Sequence, residues 1–121
     1  MGKFQIRQTA SGVKFDLVAA NGQVVLSSEV YSSRAAVLKG IASVRLIAPA
    51  AGVENRTEEG FRAMPNPKFE LYQDRAGQYR FRLKARNGKI VGVSEAYAHL
   101  IGAQHGIDSV RTNASEAETE G

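Results

Sequence analysis

One stretch of sequence occurs twice in this chain, and this repetition limits the possible fold more than any other feature. The first copy spans residues 14–45 (KFDLVAANGQVVLSSEVYSSRAAVLKGIASVR), and the second spans residues 80–111 (RFRLKARNGKIVGVSEAYAHLIGAQHGIDSVR). Each copy follows a matching strand pattern, at residues 3–6 and 68–71. A unit of about 45 residues is short for an independent hydrophobic core. We therefore expect two half-domains that share one core.

Together with the strand that precedes each copy, the periodicity of apolar residues predicts three strands and then a helix in each repeat. Asn21-Gly22 and Asn87-Gly88 predict two-residue hairpins with type I′ turns, in which both central residues have positive φ. Helical spacing then predicts two apolar helix faces, formed by Val37, Ile41, Val44 and Ala48 in the first copy and by Ala103, Ile107 and Val110 in the second. The pattern therefore predicts an α+β fold.

The whole chain, residues 1–121, is expected to form one structural domain made of two repeats. Repeat 1 covers about residues 3–57, a linker covers about 58–67 and repeat 2 covers about 68–112. The remaining residues, 113–121, are small, polar and acidic, and this composition predicts a disordered tail.

Composition excludes several classes of protein. The 121 residues include no cysteine, which excludes disulfides, thiolate metal sites and a cysteine nucleophile and is typical of a cytoplasmic protein. No apolar run approaches the roughly 20 residues that span a bilayer, and the first residues have no secretory signal pattern. We therefore predict a cytoplasmic monomer that does not bind membranes. The formal net charge is +4, a modest excess that can attract anions weakly.

The residues from Lys68 to Tyr97 (KFELYQDRAGQYRFRLKARNGKIVGVSEAY), followed by Gly106-Ile107 and Ser109-Val110, resemble the YegP-like bacterial domain of unknown function in its tandem-repeat form. The first copy matches less closely before Asn21 and well after it. The resemblance implies two β3-αβ repeats that form a single antiparallel sheet, with two helices packed on one face and the C-terminal strands swapped between repeats. Relatives with a single copy would form the same fold as a homodimer. The resemblance implies no activity, substrate or catalytic residue.

A run of alternating basic residues is the sharpest local feature. Period-two spacing places all of them on the strand face opposite Phe81 and Leu83, and they are the candidate anion-binding residues: Arg80, Arg82, Lys84 and Arg86. Such a face can bind phosphates by releasing counterions, or it can be a solvated face that discourages edge-to-edge association. The first copy has Lys14, Asp16, Val18 and Ala20 at the equivalent places, so the surface is not symmetric.

Two other groups of residues have side chains that can carry chemistry. The recurring Ser28-Glu29-x-Tyr31 and Ser94-Glu95-x-Tyr97 could supply a carboxylate pair for acid–base chemistry, or they could repeat because both copies pack in the same way. His99 and His105 are six residues apart, which places them on different helix faces and makes them a poor metal pair. We therefore expect no catalytic residue, no metal and no cofactor.

The sequence thus predicts a non-enzymatic binding or protein-interaction module whose partner is an unidentified protein or anionic molecule. The alternative is weak binding of nucleic acid or another polyanion through the basic strand of repeat 2.

Overall fold

The computed structural model describes residues 2–121 and contains one sheet and two helices. In that part of the chain the elements are β1 (Lys3–Thr9), β2 (Gly12–Val18), β3 (Val24–Ser27), α1 (Arg34–Ile47), β4 (Gly52–Asn55), β5 (Lys68–Gln73), β6 (Tyr79–Lys84), β7 (Ile90–Val93), α2 (Leu100–Ala114) and β8 (Glu118–Glu120). The eight strands form a single sheet in the order β4-β5-β6-β7-β3-β2-β1-β8. The α+β architecture of two repeats is confirmed.

The last strand of each repeat joins the sheet of the other repeat. β4 follows α1 but pairs with β5, and β8 follows α2 but pairs with β1. The implied strand swap is therefore confirmed. The expected antiparallel sheet is wrong in detail, because both of these pairings are parallel and the sheet is mixed. Parallel neighbours need a connection of about a dozen residues or more, and the linker between Asn55 and Lys68 supplies it for β4 and β5.

The Asn-Gly turns are located as predicted but have a different geometry. Only the glycine has positive φ, with 86° at Gly22, and no other residue type in the described chain does. Gly22 N donates to Ala19 O at 2.9 Å and Ala19 N donates to Gln23 O at 2.8 Å, which closes a three-residue loop instead of a type I′ turn. An irregularity farther along β3 restores the register, so Leu17 still lies opposite Leu26 as predicted. The second copy repeats this arrangement.

Both helices pack on one face of the sheet, and the core between them repeats with the sequence. Phe4 meets Phe15 edge-to-face with ring centroids 5.7 Å apart, and Phe69 meets Phe81 in the same way at 5.9 Å. All four rings are fully buried. The predicted helix faces are confirmed, because their residues are buried in this core.

A glycine in each helix admits a tyrosine ring from the sheet side. A methyl group at Gly40 would lie 2.7 Å from the Oη of Tyr31. A methyl group at Gly106 would lie 2.5 Å from the Oη of Tyr97 and 2.9 Å from Phe81. Glycine costs a helix about 1 kcal/mol relative to alanine, and the close approach of these rings explains why the fold retains it at both positions.

The predicted disordered tail, residues 113–121, is wrong. Its Glu118–Glu120 segment forms β8, and Ala117 just before it is only 2% exposed. Arg45 of α1 donates to Thr119 Oγ1 at 3.1 Å. The polar composition concealed this strand because its side chains are exposed, and it is held mainly through its backbone.

The two helices begin differently. Ser33 caps α1 by accepting a hydrogen bond from Ala36 N at 3.2 Å, and serine is among the residues favoured at this position. His99 occupies the cap position of α2 and makes no side-chain cap bond. Over residues 2–121, neither helix has the length and apolar character needed to cross a membrane.

Candidate anion-binding surface on the open sheet face

The sheet face that the helices leave uncovered, here called the open face, is asymmetric although the core is symmetric. One cross-strand row runs through all eight strands and consists of Glu54, Glu70, Arg82, Val93, Ser27, Asp16, Gln5 and Glu120. In this row Arg82 of repeat 2 corresponds to Asp16 of repeat 1, and Glu70 corresponds to Gln5. Repeat 1 therefore has no equivalent of the charged surface that repeat 2 presents on the open face.

The side chain of Glu70 is 1% exposed and lies at the centre of several cations. Arg82 Nε lies 2.6 Å from its Oε1, and Arg56 Nη2 and Lys84 Nζ lie 2.9 Å and 3.5 Å from its Oε2. A second buried carboxylate, Glu54, adjoins it on β4. We call the whole group the Glu70 cluster, and its members are Glu54, Arg56, Lys68, Glu70, Arg82 and Lys84.

The inter-repeat linker closes one side of the Glu70 cluster. Glu54 Oε1 accepts from Lys68 Nζ at 2.7 Å and from the backbone N–H of Met64 at 2.8 Å. Lys68 Nζ also donates to the backbone oxygen of Met64 at 3.0 Å. Arg56 Nε donates to Glu54 Oε2 at 2.6 Å. The linker is therefore hydrogen-bonded to the edge of the sheet at β4, where it covers Glu54.

Both carboxyls of the cluster are ionised at neutral pH. Burial acts to raise the pKa of Glu54, but hydrogen bonds from Lys68, the Met64 N–H and Arg56 outweigh it and lower that pKa to about 2. The pKa of Glu70 is lowered as well. Burial acts to raise it, but hydrogen bonds from Arg82 and Lys68 outweigh the effect of burial. The hydrogen bond to Glu54 raises the pKa of both Lys68 and Arg56. Four cations thus surround two carboxylates, which leaves an excess of two positive charges.

The structure separates the four candidate residues of β6 into different surroundings. Arg82 and Lys84 belong to the Glu70 cluster. Arg80 is instead bonded to Asp74, with Nε 2.8 Å from Oδ2. That hydrogen bond from Arg80 is the largest effect that lowers the pKa of Asp74.

Arg86 does not lie on β6 with the other three candidate residues, contrary to the prediction from period-two spacing. β6 ends at Lys84 because the next turn begins at Ala85, whose N–H donates to Lys89 O at 2.9 Å. Arg86 is exposed and lines a shallow cleft together with Leu46 of α1. Three of the four predicted residues therefore lie on β6 and contribute to the basic surface of the open face.

The sequence reading missed four members of the cluster. Arg56 and Glu54 lie in a segment that carries no repeat signature, and the repeat pattern marks Lys68 and Glu70 only as part of a strand. The available signal was the period-two spacing of Glu54 with Arg56 and of Lys68 with Glu70, which predicts one shared face in each segment.

The two recurring glutamates do not form a carboxylate pair. Glu29 lines a cleft with Tyr31 and Lys89, whereas Glu95 is not part of that cleft. β3 and β7 are antiparallel and meet at a single register pair, so the residues that follow them diverge from it in opposite directions.

The recurring serines explain the motif structurally. Ser28 Oγ accepts from Phe15 N at 2.9 Å, and Ser94 Oγ accepts from Phe81 N at 2.8 Å. These hydrogen bonds join the end of β3 to β2 and the end of β7 to β6. Within residues 2–121, no group of three or more His, Cys, Asp or Glu side chains is arranged to hold a metal ion.

Comparison with known proteins places the chain among uncharacterised bacterial relatives. It is 37% identical over 114 residues to the UPF0339 protein YegP of Yersinia pestis, which covers 93% of this chain and 88% of that protein. A UPF0339 protein of Treponema denticola is 52% identical over only 50 residues, which make up 41% of this chain but 86% of that relative. The second relative therefore corresponds to little more than one repeat.

The fold is also similar to a solved structure. The solution NMR structure of the protein of unknown function yegP from E. coli superposes with a TM-score of 0.81 and 31% sequence identity, covering 98% of this chain and 90% of that one. The family described as a domain of unknown function, DUF1508, matches residues 9–55 and again residues 74–120. The chain therefore belongs to the DUF1508 family and carries two copies of its domain.

Proposed function

We propose that this chain is a non-enzymatic binding module and that the repeat 2 half of its open face contacts an acidic segment of another protein. The observation that carries the proposal is the Glu70 cluster, where four cations surround two buried carboxylates. Such a cluster presents fixed positive charge, because Glu70 holds the side chains of Arg82 and Lys84 in place. Charge complementarity of this kind guides partner choice and speeds association.

The state of the carboxylates supports a binding role over catalysis. General acid–base catalysis works best when a group titrates near the working pH. Glu54 and Glu70 instead have lowered pKa values and are bonded to cations. Glu29 and Glu95 lie too far from each other along the β3–β7 pairing to act as a coupled pair. The proposal accordingly includes no cofactor, and it places the protein in the cytoplasm, consistent with a chain that lacks cysteine.

An acidic protein segment fits this surface better than nucleic acid does. Proteins that bind single strands combine basic grooves with exposed aromatic rings on which bases stack. Here Phe69 and Phe81 are buried under the helices, and Tyr72 lies beneath the guanidinium group of Arg82, 4.8 Å from it. An excess of two charges also neutralises few phosphates, so the salt-dependent contribution to affinity would be small.

An NMR titration tests the proposal. The ¹⁵N-labelled protein is titrated with a ten-residue glutamate-rich peptide and with a single-stranded DNA oligonucleotide, each at low and at moderate salt. We expect the peptide to shift amides of β5 and β6, and we expect salt to weaken the effect. The double variant Arg80→Gln/Lys84→Gln should bind several-fold more weakly, because two of the fixed charges are gone.

The control variant Lys14→Gln/Lys39→Gln removes the same charge from other parts of the surface and should bind as the unmodified protein does. Peptide shifts outside β5 and β6, or equal weakening by both double variants, would contradict the assignment of the surface. DNA that shifts the same amides at lower concentration than the peptide would contradict the choice of a protein partner.

A further inference from the structure

Three cations of the Glu70 cluster have hydrogen-bond donors that no protein group in the described part of the chain uses. Arg82 uses Nε for Glu70, which leaves both terminal nitrogens of its guanidinium group without a protein partner among the described residues. Arg56 uses Nε and Nη2, which leaves Nη1. Lys84 Nζ lies 3.5 Å from Glu70 and donates to no protein group within residues 2–121. Three cationic groups around one carboxylate therefore keep donors for a further ligand.

We propose that these three groups bind a single phosphate monoester, with one site in each chain. The inference rests on the binding role proposed above and specifies the chemistry of the partner. Arg82 contacts Glu70 Oε1 at 2.6 Å, and Arg56 and Lys84 contact Glu70 Oε2 at 2.9 and 3.5 Å. Because all three surround one carboxylate, their charged ends lie within reach of one tetrahedral anion. Guanidinium groups match phosphate oxygens with pairs of parallel hydrogen bonds.

Charge favours a phosphate monoester over a carboxylate. A phosphate monoester carries between about −1.5 and −2 charges at pH 7, which matches the excess of two positive charges in the cluster. A single carboxylate would neutralise only half of that excess. Because Glu70 and Glu54 are ionised and bonded to cations, the protein needs no change in protonation to receive the ligand.

The site is built in advance, because its anchors are buried. The side chains of Glu54 and Glu70 are 0% and 1% exposed, and that of Lys68, which links them, is 9% exposed. The three binding groups are more open, with side-chain exposures of 36% for Arg56, 29% for Arg82 and 25% for Lys84. Fixed donors lose little conformational entropy on binding, which raises affinity.

Repeat 1 cannot form the same site. The places of Glu70 and Arg82 are taken by Gln5 and Asp16, and Asp16 is bonded to Arg7 at 2.8 Å. The place of Lys84 is taken by Val18. One site per chain is therefore expected.

Calorimetry and NMR with matched ligands test the inference. The ligands are inorganic phosphate, a ten-residue peptide with one phosphoserine, the same peptide with serine, and the same peptide with glutamate at that position. We expect the phosphopeptide to bind with 1:1 stoichiometry, at least tenfold more tightly than the glutamate peptide, and to shift amides near Glu70 and Arg82. Binding should weaken at pH 5, where the phosphate loses part of its second charge.

The ligand arms distinguish the source of the phosphate group. A phosphopeptide that binds more tightly than inorganic phosphate identifies a phosphorylated protein segment as the source, whereas equal affinity identifies a small phosphate compound. The variant Arg56→Gln/Lys84→Gln should lower the affinity for either by at least tenfold. The variant Lys14→Gln/Arg75→Gln removes the same charge elsewhere and should change the affinity less than twofold.

Failure of this inference can be told from failure of the proposed function. If the glutamate peptide and the phosphopeptide bind equally tightly through β5 and β6, the phosphate inference is overturned and the acidic-partner proposal stands. If no peptide shifts these amides, both are overturned. If Arg56→Gln/Lys84→Gln keeps its NMR spectrum dispersed and binds phosphate unchanged, the site lies elsewhere.

Discussion

The guanidinium group of Arg111, in the last turn of α2, lies over the ring of Phe69, 5.3 Å from its centroid. The same group donates a hydrogen bond to the backbone oxygen of Ala51, immediately before β4. Arg45 has the equivalent position over Phe4, at 4.8 Å. The arginine that ends each copy therefore connects its own helix to the first strand of its repeat and to the swapped strand of the other repeat. Arg111 connects α2 to β5 and β4, and Arg45 connects α1 to β1 and β8.

Replacing this arginine should destabilise the fold. Arg111→Gln removes the contact with Phe69 and the hydrogen bond to Ala51, and we expect the free energy of unfolding to fall by about 1 to 2 kcal/mol. Urea denaturation followed by circular dichroism measures the change. Arg75→Gln, in the exposed turn after β5, is the matched control and should have no measurable effect. Equal stability of both variants would show that the arginine does not hold β4 in place.

Adding one methyl group inside α2 should also destabilise the protein. Gly106→Ala gains about 1 kcal/mol of helix propensity, but the new methyl would lie 2.5 Å from Tyr97 Oη and 2.9 Å from Phe81. Overpacking of this kind costs about 1 to 3 kcal/mol, so we expect a net loss. Thermal unfolding provides the measurement.

Gly102→Ala supplies the comparison, because its methyl would lie 3.3 Å from Tyr97 and meets only side-chain carbon. Its effect should be smaller than that of Gly106→Ala. Addition of Tyr97→Phe to Gly106→Ala removes the closest atom and should restore part of the stability. If the double variant is no better than the single one, the collision with Phe81 decides the cost.

Acid should weaken the fold through Glu54. Its pKa is lowered to about 2 in the folded chain from 4.5, so its contribution to stability is complete above the unfolded value and is lost as the pH falls toward 2. Glu70 has a lowered pKa as well and contributes in the same direction. We therefore expect the free energy of unfolding to decrease from about pH 5 downward, measured by denaturant titration at pH 7, 5, 4 and 3.

Glu54→Gln tests whether this residue causes the acid dependence. At pH 7 it leaves Lys68 buried with one carboxylate fewer, and a broken buried pair costs about 3 kcal/mol. Since the glutamine cannot be protonated in this range, the variant should lose less stability than the unmodified protein between pH 5 and pH 3. Parallel curves for the two proteins would contradict the role of Glu54.

Removal of the last strand should reduce stability although its side chains are exposed. Deletion of residues 116–121 exposes the edge of β1 and removes the buried Ala117, and we expect a loss of at least about 1 kcal/mol from the backbone hydrogen bonds alone. Urea denaturation measures it. Glu118→Gln/Glu120→Gln keeps the strand and should behave as the unmodified protein does. A deletion without effect would restore the prediction of a disordered tail.

Residues with a repeated role in packing could be predicted from the sequence. Phe15 and Phe81 recur at equivalent places, and both lie in the core beneath a helix. Serine is a favoured helix cap, so the pair Ser32-Ser33 marks the start of α1, and Ser33 is the residue that caps it. The swap of C-terminal strands came from the resemblance to the YegP-like domain, because nothing in the residues around β8 specifies which strand it joins.

The candidate site was only partly predictable because it joins segments whose proximity depends on the swap. Arg82 and Lys84 were found from their alternation in one strand. Arg56 reaches Glu70 only because β4 crosses to repeat 2, so no pattern within a single segment could connect them. The turn at Asn21-Gly22 was placed correctly, but its geometry depends on an irregularity in β3 that leaves no signature in the turn itself.

The crossing of β4 and β8 also changes what the peptide chain between the repeats contributes. A chain cut once after Gly60, at an exposed turn, yields two fragments, and each carries the strand that completes the sheet of the other. Neither fragment contains all the strands that surround its own core. Together they retain every pairing of the intact sheet, so the fold has the topology of a fragment-complementation pair that happens to be synthesised as one polypeptide.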